Sequence, residues 1–201
     1  NVALAIRRAL APDKWRRIEE QYVAGEISVE ESNIRQFALV RTTQSELESL
    51  VLSEVIIRQG FEEFVVYCRQ NAIKLVVVSS GLDLYVRPTL KRLGLTHLEA
   101  HSATAKVTRS GIQVKYADPS GSPMTRGFKE AYLRSFKAHG HTVVYIGDGV
   151  SDIPAALEAD YVIARSTLKG ALGDRNRPCY SFDDFADVMS SVEDIRRRAN
   201  I

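Results

Sequence analysis

Two short segments of this sequence place polar residue types where a phosphate or metal site needs them. In Val76-Val77-Val78-Ser79-Ser80-Gly81 an apolar, β-branched run stops at two hydroxyls and a glycine. Small residues at a strand end let backbone approach an anion closely, and the N–H groups that open a following helix face it. The same three residues also make an ordinary strand-to-helix turn with a serine cap. In Tyr145-Ile146-Gly147-Asp148-Gly149-Val150-Ser151-Asp152 two carboxylates stand four positions apart at a second strand end. Mg²⁺ binds few carboxylates and keeps several waters, so one direct and one outer carboxylate suffice. The alternative is that Asp152 or Ser151 caps the next helix while Asp148 sits in a solvated turn. Lys129, early in a helix after Gly127, is by itself an ordinary solvated charge. Taken in order, an anion turn, a lysine and an acidic pair supply the charge neutralisation and positioning that phosphoryl transfer demands.

The elements that must hold these segments follow from periodicity. From Gly60 onward the pattern predicts a helix over 61–70, a buried strand over 75–78, a helix over 84–93, a second buried strand over 143–146, a helix over 153–157 and a third strand over 161–164. Residues 104–107 and 112–116 alternate around Ser110-Gly111 as a hairpin does. A further helix follows Arg126 through Tyr132, Leu133 and Phe136, and a last one follows Phe182 and ends in Arg196-Arg197-Arg198. Strands alternating with helices predict an α/β fold with a doubly wound, mainly parallel, Rossmann-like sheet, whose ligands bind beyond the carboxyl ends of the strands. Before Gly60 the reading is helical throughout. Val2, Leu4, Ile6 and Leu10, then Ile18, Tyr22 and Val23, recur at helical spacings broken by Pro12 and Gly25. Ser28 and Glu31 form a capping-box pair that opens a helix through Ile34, Phe37 and Ala38, and 42–45 punctuate before another helix with Leu47, Leu50 and Val51. The chain thus predicts a helical module over 1–59 and an α/β module over 60–201, without internal repeats.

Composition narrows the class. The 201 residues are 45% apolar and 26% charged, which excludes disordered and fibrous classes. No apolar run approaches the ~20 residues needed to cross a bilayer, so no membrane partner is expected. With 27 basic against 25 acidic side chains there is no general pull toward nucleic acid. Cys68 and Cys179 form neither a CxxC site nor a disulfide framework and read as free thiols of a soluble, cytoplasmic protein. The chain opens Asn1-Val2-Ala3-Leu4, without Met and without the features of a signal peptide.

In order along the chain, Val76-Val77-Val78-Ser79-Ser80-Gly81, Gly127-Phe128-Lys129 and Ile146-Gly147-Asp148-Gly149-Val150-Ser151-Asp152 resemble the second, third and fourth motifs of haloacid dehalogenase-superfamily phosphatases. The pattern is nearest the phosphoserine-phosphatase-like branch, in which a helical cap follows the first motif, and the residues up to about Gly60 resemble that cap. Gly25-Glu26-Ile27-Ser28 and Ser80-Gly81-Leu82-Asp83 are similar to the branch that holds the methionine-salvage phosphatase for a diketo-methylthio-phosphopentane. The resemblance implies a Mg²⁺-dependent phosphomonoester hydrolase of a small phosphorylated metabolite, working through an aspartyl-phosphate. It implies that Ser79 hydrogen-bonds a phosphoryl oxygen with help from the Ser80 and Gly81 backbone. Lys129 would neutralise the phosphate, Asp148 would bind Mg²⁺, and Asp152 would hold a metal-bound water or Lys129. Two rival expectations are phosphoserine phosphatase itself and a catalytically inactive phosphate-binding or regulatory protein.

The sequence departs from the family pattern in one large respect: no Asp-x-Asp pair occurs in it. In the family that motif supplies the nucleophile and ends the first, central strand, so a short segment carrying it is expected ahead of Asn1. Ser80 stands where the branch usually has a second glycine, and Thr125 and Phe128 replace cysteines common in the methionine-salvage group. His97, His101, His139 and His141 lack metal-ligand spacing, Trp15, Tyr22 and Phe37 read as packing in the helical module, and Arg35 and Arg41 are candidate anion contacts or solvated charges.

Overall fold

The computed structural model describes residues 2–200. Four helices come first: α1 (Val2–Leu10), α2 (Trp15–Val23), α3 (Val29–Phe37) and α4 (Gln44–Glu54). Then follow α5 (Phe61–Gln70), β1 (Val76–Leu82), α6 (Asp83–Arg92), β2 (Glu99–Thr108), β3 (Gly111–Ala117), β4 (Pro123–Met124) and α7 (Phe128–Ala138). The chain ends with β5 (Val144–Gly147), a 3₁₀ turn at Val150–Asp152, α8 (Ile153–Glu158), β6 (Tyr161–Ala164), α9 (Ser166–Gly173), β7 (Tyr180–Ser181) and α10 (Phe185–Ala199). Two compact units result: Asn1–Ile56 with Val76–Phe128, and Ile57–Leu75 with Lys129–Ile201. The helical stretch therefore shares its unit with β1 to β4.

In the first unit β1 pairs parallel with β2, and β2–β3 form the antiparallel hairpin that the alternation around Ser110-Gly111 predicts, with Val107 opposite Ile112. Along β3, Ile112, Val114 and Tyr116 are buried while Gln113 and Lys115 face water, the period-2 pattern of a one-sided strand. Ser28 caps α3 by accepting the Glu31 N–H at 3.0 Å, and its hydroxyl also donates to the Thr125 carbonyl. The reciprocal half of the expected capping box is absent from its contacts, because the Glu31 carboxylate pairs with Arg35 one turn on, at 3.5 Å. A complete box forms instead between Thr43 and Glu46 at the start of α4. Replacing Ser28 with Ala is expected to cost about 1 kcal/mol, read as a lower urea midpoint at unchanged m-value.

The second unit is a three-stranded parallel sheet in the order β5-β6-β7 with helices on both faces. Successive β6 side chains explain the two layers. Val162 and Ala164 pack with Leu133, Ala155, Ala156, Leu168 and Leu172 on one face, while Ile163 packs with Phe64, Cys68, Phe182, Val188 and Ile195 on the other. Each Val, Leu, Ile or Phe among them contributes about 1.5–3 kcal/mol by leaving water, and each alanine methyl less. Cys68 and Cys179 are free thiols, and burial pushes Cys68 up to about 11, which leaves it an unreactive core residue. β1 has a strand partner on one side, as has β5, so each keeps one edge without a strand among the described residues.

Candidate active site

Asp152 organises the second unit's cluster. Its carboxylate is nearly enclosed, with a side chain only 9% exposed, and takes four donors. Oδ1 accepts from the Lys129 Nζ at 2.5 Å and the Tyr145 hydroxyl at 2.7 Å. Oδ2 accepts the backbone N–H groups of Asp148 at 3.0 Å and Gly149 at 2.8 Å. Two carboxylate oxygens offer about four lone-pair sites, so this set fills them. Burial opposes ionisation of Asp152, but the Lys129 charge and the hydrogen bonds from Lys129, Tyr145 and Gly149 outweigh it and hold the carboxyl below its ordinary value. Burial, then the neighbouring carboxylate, pushes Tyr145 well above the usual phenol range, so it remains a proton donor.

The motif's glycine spacing has a steric cause. Asp152 folds back over the strand end so closely that a Cβ on Gly147 would lie 2.8 Å from its Cγ. Tyr145 and Gly147 share one face of β5, which lets the phenol and the returning carboxylate meet. Lys129, the second residue of α7, also donates to the Ser151 hydroxyl at 3.2 Å. Asp148 differs in kind. Its backbone is pinned through its N–H to Asp152 and through its carbonyl to the Leu168 N–H at 3.1 Å, but its side chain is exposed at the carboxyl end of β5. Partial desolvation, then the Asp152 charge, raises the Asp148 carboxyl, with Lys129 opposing.

In the first unit Ser79, Ser80 and Gly81 lie inside β1 rather than after it. Val78 pairs with His101 and Leu82 with Ala103, so the register slips across these three residues and they bulge from the ladder. The Ser79 hydroxyl accepts the Gly81 N–H at 3.0 Å, which fixes its rotamer and leaves its own proton to donate. The buried Ser80 carbonyl accepts the Asn33 amide at 2.8 Å and the Tyr116 hydroxyl at 2.5 Å. Gly81 is dictated by Tyr85, whose ring would lie 2.6 Å from an added Cβ. Gly81→Ala is expected to destabilise by about 1–3 kcal/mol, because Tyr85 is buried and cannot swing away freely; a denaturation midpoint measures it.

A family model described as haloacid dehalogenase-like hydrolase matches residues 4–157. The chain belongs to the haloacid dehalogenase-like hydrolase family. It is 29% identical to 2-hydroxy-3-keto-5-methylthiopentenyl-1-phosphate phosphatase of Brevibacillus brevis, over 96% of this chain and 89% of that protein. The Geobacillus thermodenitrificans protein of the same name is also 29% identical, over 94% of this chain and 88% of its own length. Among solved structures, a phospho-aspartyl intermediate analogue of phosphoserine phosphatase superposes with a TM-score of 0.66 at 19% identity, over 89% of this chain and 85% of that one. These relatives are phosphatases, and the solved structure shares the α/β fold read from the sequence.

Within this haloacid dehalogenase-like chain the structure brings Lys129, Ser151 and Asp152 together, with Asp148 joined through its backbone, and gathers Ser79, Ser80 and Gly81 into one bulge. Among the described residues no group of three or more His, Cys, Asp or Glu side chains stands ready for a metal. Arg35 and Arg41 are engaged locally, by Glu31 and by the Ala38 and Val40 carbonyls. Trp15 and Phe37 pack into the interior, and His101 pairs with Glu99 at 2.9 Å. The site contacts of Tyr145, Asn33 and Tyr116 are not legible in the sequence. For Asn33 alone the sequence holds a signal, the recurrence of the polar residues Glu30, Asn33 and Gln36 at every third position of α3, and the structure buries all three.

Proposed function

We propose that this chain carries the phosphate turn, the lysine and a metal-binding carboxylate of a Mg²⁺-dependent phosphomonoesterase that works through an aspartyl-phosphate. The helical segment over 1–59 serves as its cap and residues 60–201 as its core. The observation that carries the reading is the contrast within Gly147-Asp148-Gly149-Val150-Ser151-Asp152: one carboxylate is fully engaged and the other is held at a strand end with its oxygens free of donors among the described residues. That contrast suits a division of labour in which Asp148 holds Mg²⁺ directly and Asp152 acts by orienting Lys129. One carboxylate with retained waters is a normal Mg²⁺ arrangement, and Asp148 fits that role. A bound Mg²⁺ would neutralise phosphoryl oxygens as charge builds during transfer. Lys129, nearly buried and locked on Asp152, adds a positive charge that pays no reorganisation cost when the phosphoryl group moves. Ser79, its rotamer fixed by Gly81, donates to a phosphoryl oxygen, with the Ser80 and Gly81 backbone alongside.

The aspartyl nucleophile is not among the 201 residues, so this reading requires an Asp-x-Asp segment from outside them. The unpartnered edges of β1 and β5 support it, because a row of unpaired backbone groups invites a further strand. We take the substrate to be a small phosphorylated metabolite of the keto-methylthiopentenyl phosphate type named for the curated relatives. The two free cysteines, and the lack of any described helix long and apolar enough to cross a membrane, support a cytoplasmic setting. The test is a phosphomonoester panel assayed with the full-length protein and Mg²⁺. Turnover of phosphorylated ketones above phosphoserine is expected. Preference for phosphoserine would replace the substrate, and no hydrolysis of any ester would leave a phosphate-binding protein.

A further inference from the structure

The Ser80 carbonyl poses a problem that the fold solves in an unusual way. Because the β1–β2 register slips between Val78 and Leu82, this buried residue lies in the bulge and its carbonyl is taken up by two side chains. Asn33 Nδ2 and the Tyr116 hydroxyl both donate to it, and Asn33 donates a second hydrogen to the Tyr116 oxygen at 2.8 Å, closing a triangle. The amide can point only one way, since Arg7 donates to Asn33 Oδ1 at 3.5 Å and leaves both Nδ2 hydrogens for the triangle. Burial keeps the Tyr116 hydroxyl protonated, well above its ordinary range. The triangle therefore supplies two donors to one carbonyl, enough for both of its lone pairs.

The consequence lies on the other side of the same peptide bond. In a planar trans peptide the C=O and N–H point in opposite directions, so clamping the Ser80 carbonyl aims the Gly81 N–H away from the clamp. That N–H is the one that donates to Ser79 Oγ and sets the serine's rotamer. We propose that Asn33 and Tyr116 are positioning residues for the phosphate turn. By fixing the 80–81 peptide plane they aim the Ser79 hydroxyl, and so α3 of the helical segment and β3 of the hairpin set the turn's affinity for an oxyanion. Ser80 Oγ and Arg7 Nε are buried without hydrogen-bond partners among the described residues, so neither atom competes for the Ser80 carbonyl. The proposal rests on the phosphatase reading, in which Ser79 meets the phosphoryl group.

The experiment is calorimetric binding of inorganic phosphate, with Mg²⁺ present, to the full-length wild type and to Asn33→Leu, Tyr116→Phe and the double variant. One hydrogen bond lost at a shared acceptor is expected to weaken phosphate binding about fivefold in each single variant. Because either donor alone still holds the carbonyl, the double variant is expected to lose more than the product of the singles, about 50-fold or beyond. KM for a phosphomonoester should rise in parallel, with kcat changing less than about threefold. Ile112→Val, buried on the same strand, serves as the comparator that costs stability without touching the clamp. Phosphate affinity within twofold of wild type in the double variant overturns the proposal, as does an equal loss in Ile112→Val. Should the double variant not fold, Tyr116→Phe alone decides, since it removes one hydroxyl and leaves Asn33 in place. If Ser79→Ala weakens phosphate binding and the clamp variants do not, this proposal falls while the phosphatase reading stands. If wild type binds no phosphate, both fall.

Discussion

Asp152→Asn is expected to destabilise the protein by about 3–5 kcal/mol and to remove its activity. The substitution looks conservative and is not. Each carboxylate oxygen receives two donors, Lys129 and Tyr145 on one and the N–H groups of Asp148 and Gly149 on the other. Whichever oxygen becomes an amide nitrogen then faces donors it cannot accept from, and a nearly buried Lys129 loses its counter-charge. Lys129, the backbone of Asp148 and the turn at Gly149 all move together, so stability and turnover fall in one variant. A pH series tests the cause. Asp152 has a folded-state pKa below its unfolded value of ~3.9, so its contribution is fully present above that pH and drains away as pH falls through the lower folded value. Wild type should therefore lose stability on acidification below about pH 4, and the variant should show a flatter profile there. An Asp152→Asn variant as stable as wild type at neutral pH would show that the carboxylate is not the organiser described here.

Asp148→Asn, four residues away, is expected to give the opposite signature. Its carboxylate is exposed and makes no hydrogen bond or ion pair to a described residue, while its backbone bonds survive any side-chain change. Stability should stay within about 0.5 kcal/mol of wild type, as for other surface positions. Mg²⁺-dependent turnover should fall at least about a thousandfold, since a neutral amide is a poor ligand for a hard cation and the lost charge stabilisation amounts to several kcal/mol. Phosphatase activity with and without added Mg²⁺, beside a urea titration, measures both. A variant that keeps its Mg²⁺-dependent rate would reject the metal role of Asp148. Together the two variants separate the carboxylate that holds the site from the one that would use it.

Much of this was legible in the linear sequence. Hydrophobic period separated the helical stretch from the α/β stretch, and β6 falls where its apolar run predicts, at Tyr161–Ala164. Each of Ser79, Lys129, Asp148 and Asp152 has a common alternative use taken singly, and it was their order along the chain that suggested phosphoryl transfer. Local signals did less well where a side chain had a choice of partners. Ser28 caps its helix as read, yet Glu31 prefers Arg35 to the reciprocal bond, and the complete box arises at Thr43 and Glu46.

What the sequence by itself determined about this protein is the run of elements and which polar residue types stand on them, since periodicity and residue type are local properties of the chain. Only the tertiary structure decided which of two aspartates is spent on holding the site, because that depends on Lys129, more than twenty residues away, reaching Asp152. It also decided that Ser79, Ser80 and Gly81 form a bulge within β1 and that Asn33 and Tyr116 hold the Ser80 carbonyl. The physical reason is the same in each case. A hydrogen-bonding group in a sequence has many eligible partners, and burial, which forces each one to find a partner or go without, is a property of the folded chain alone.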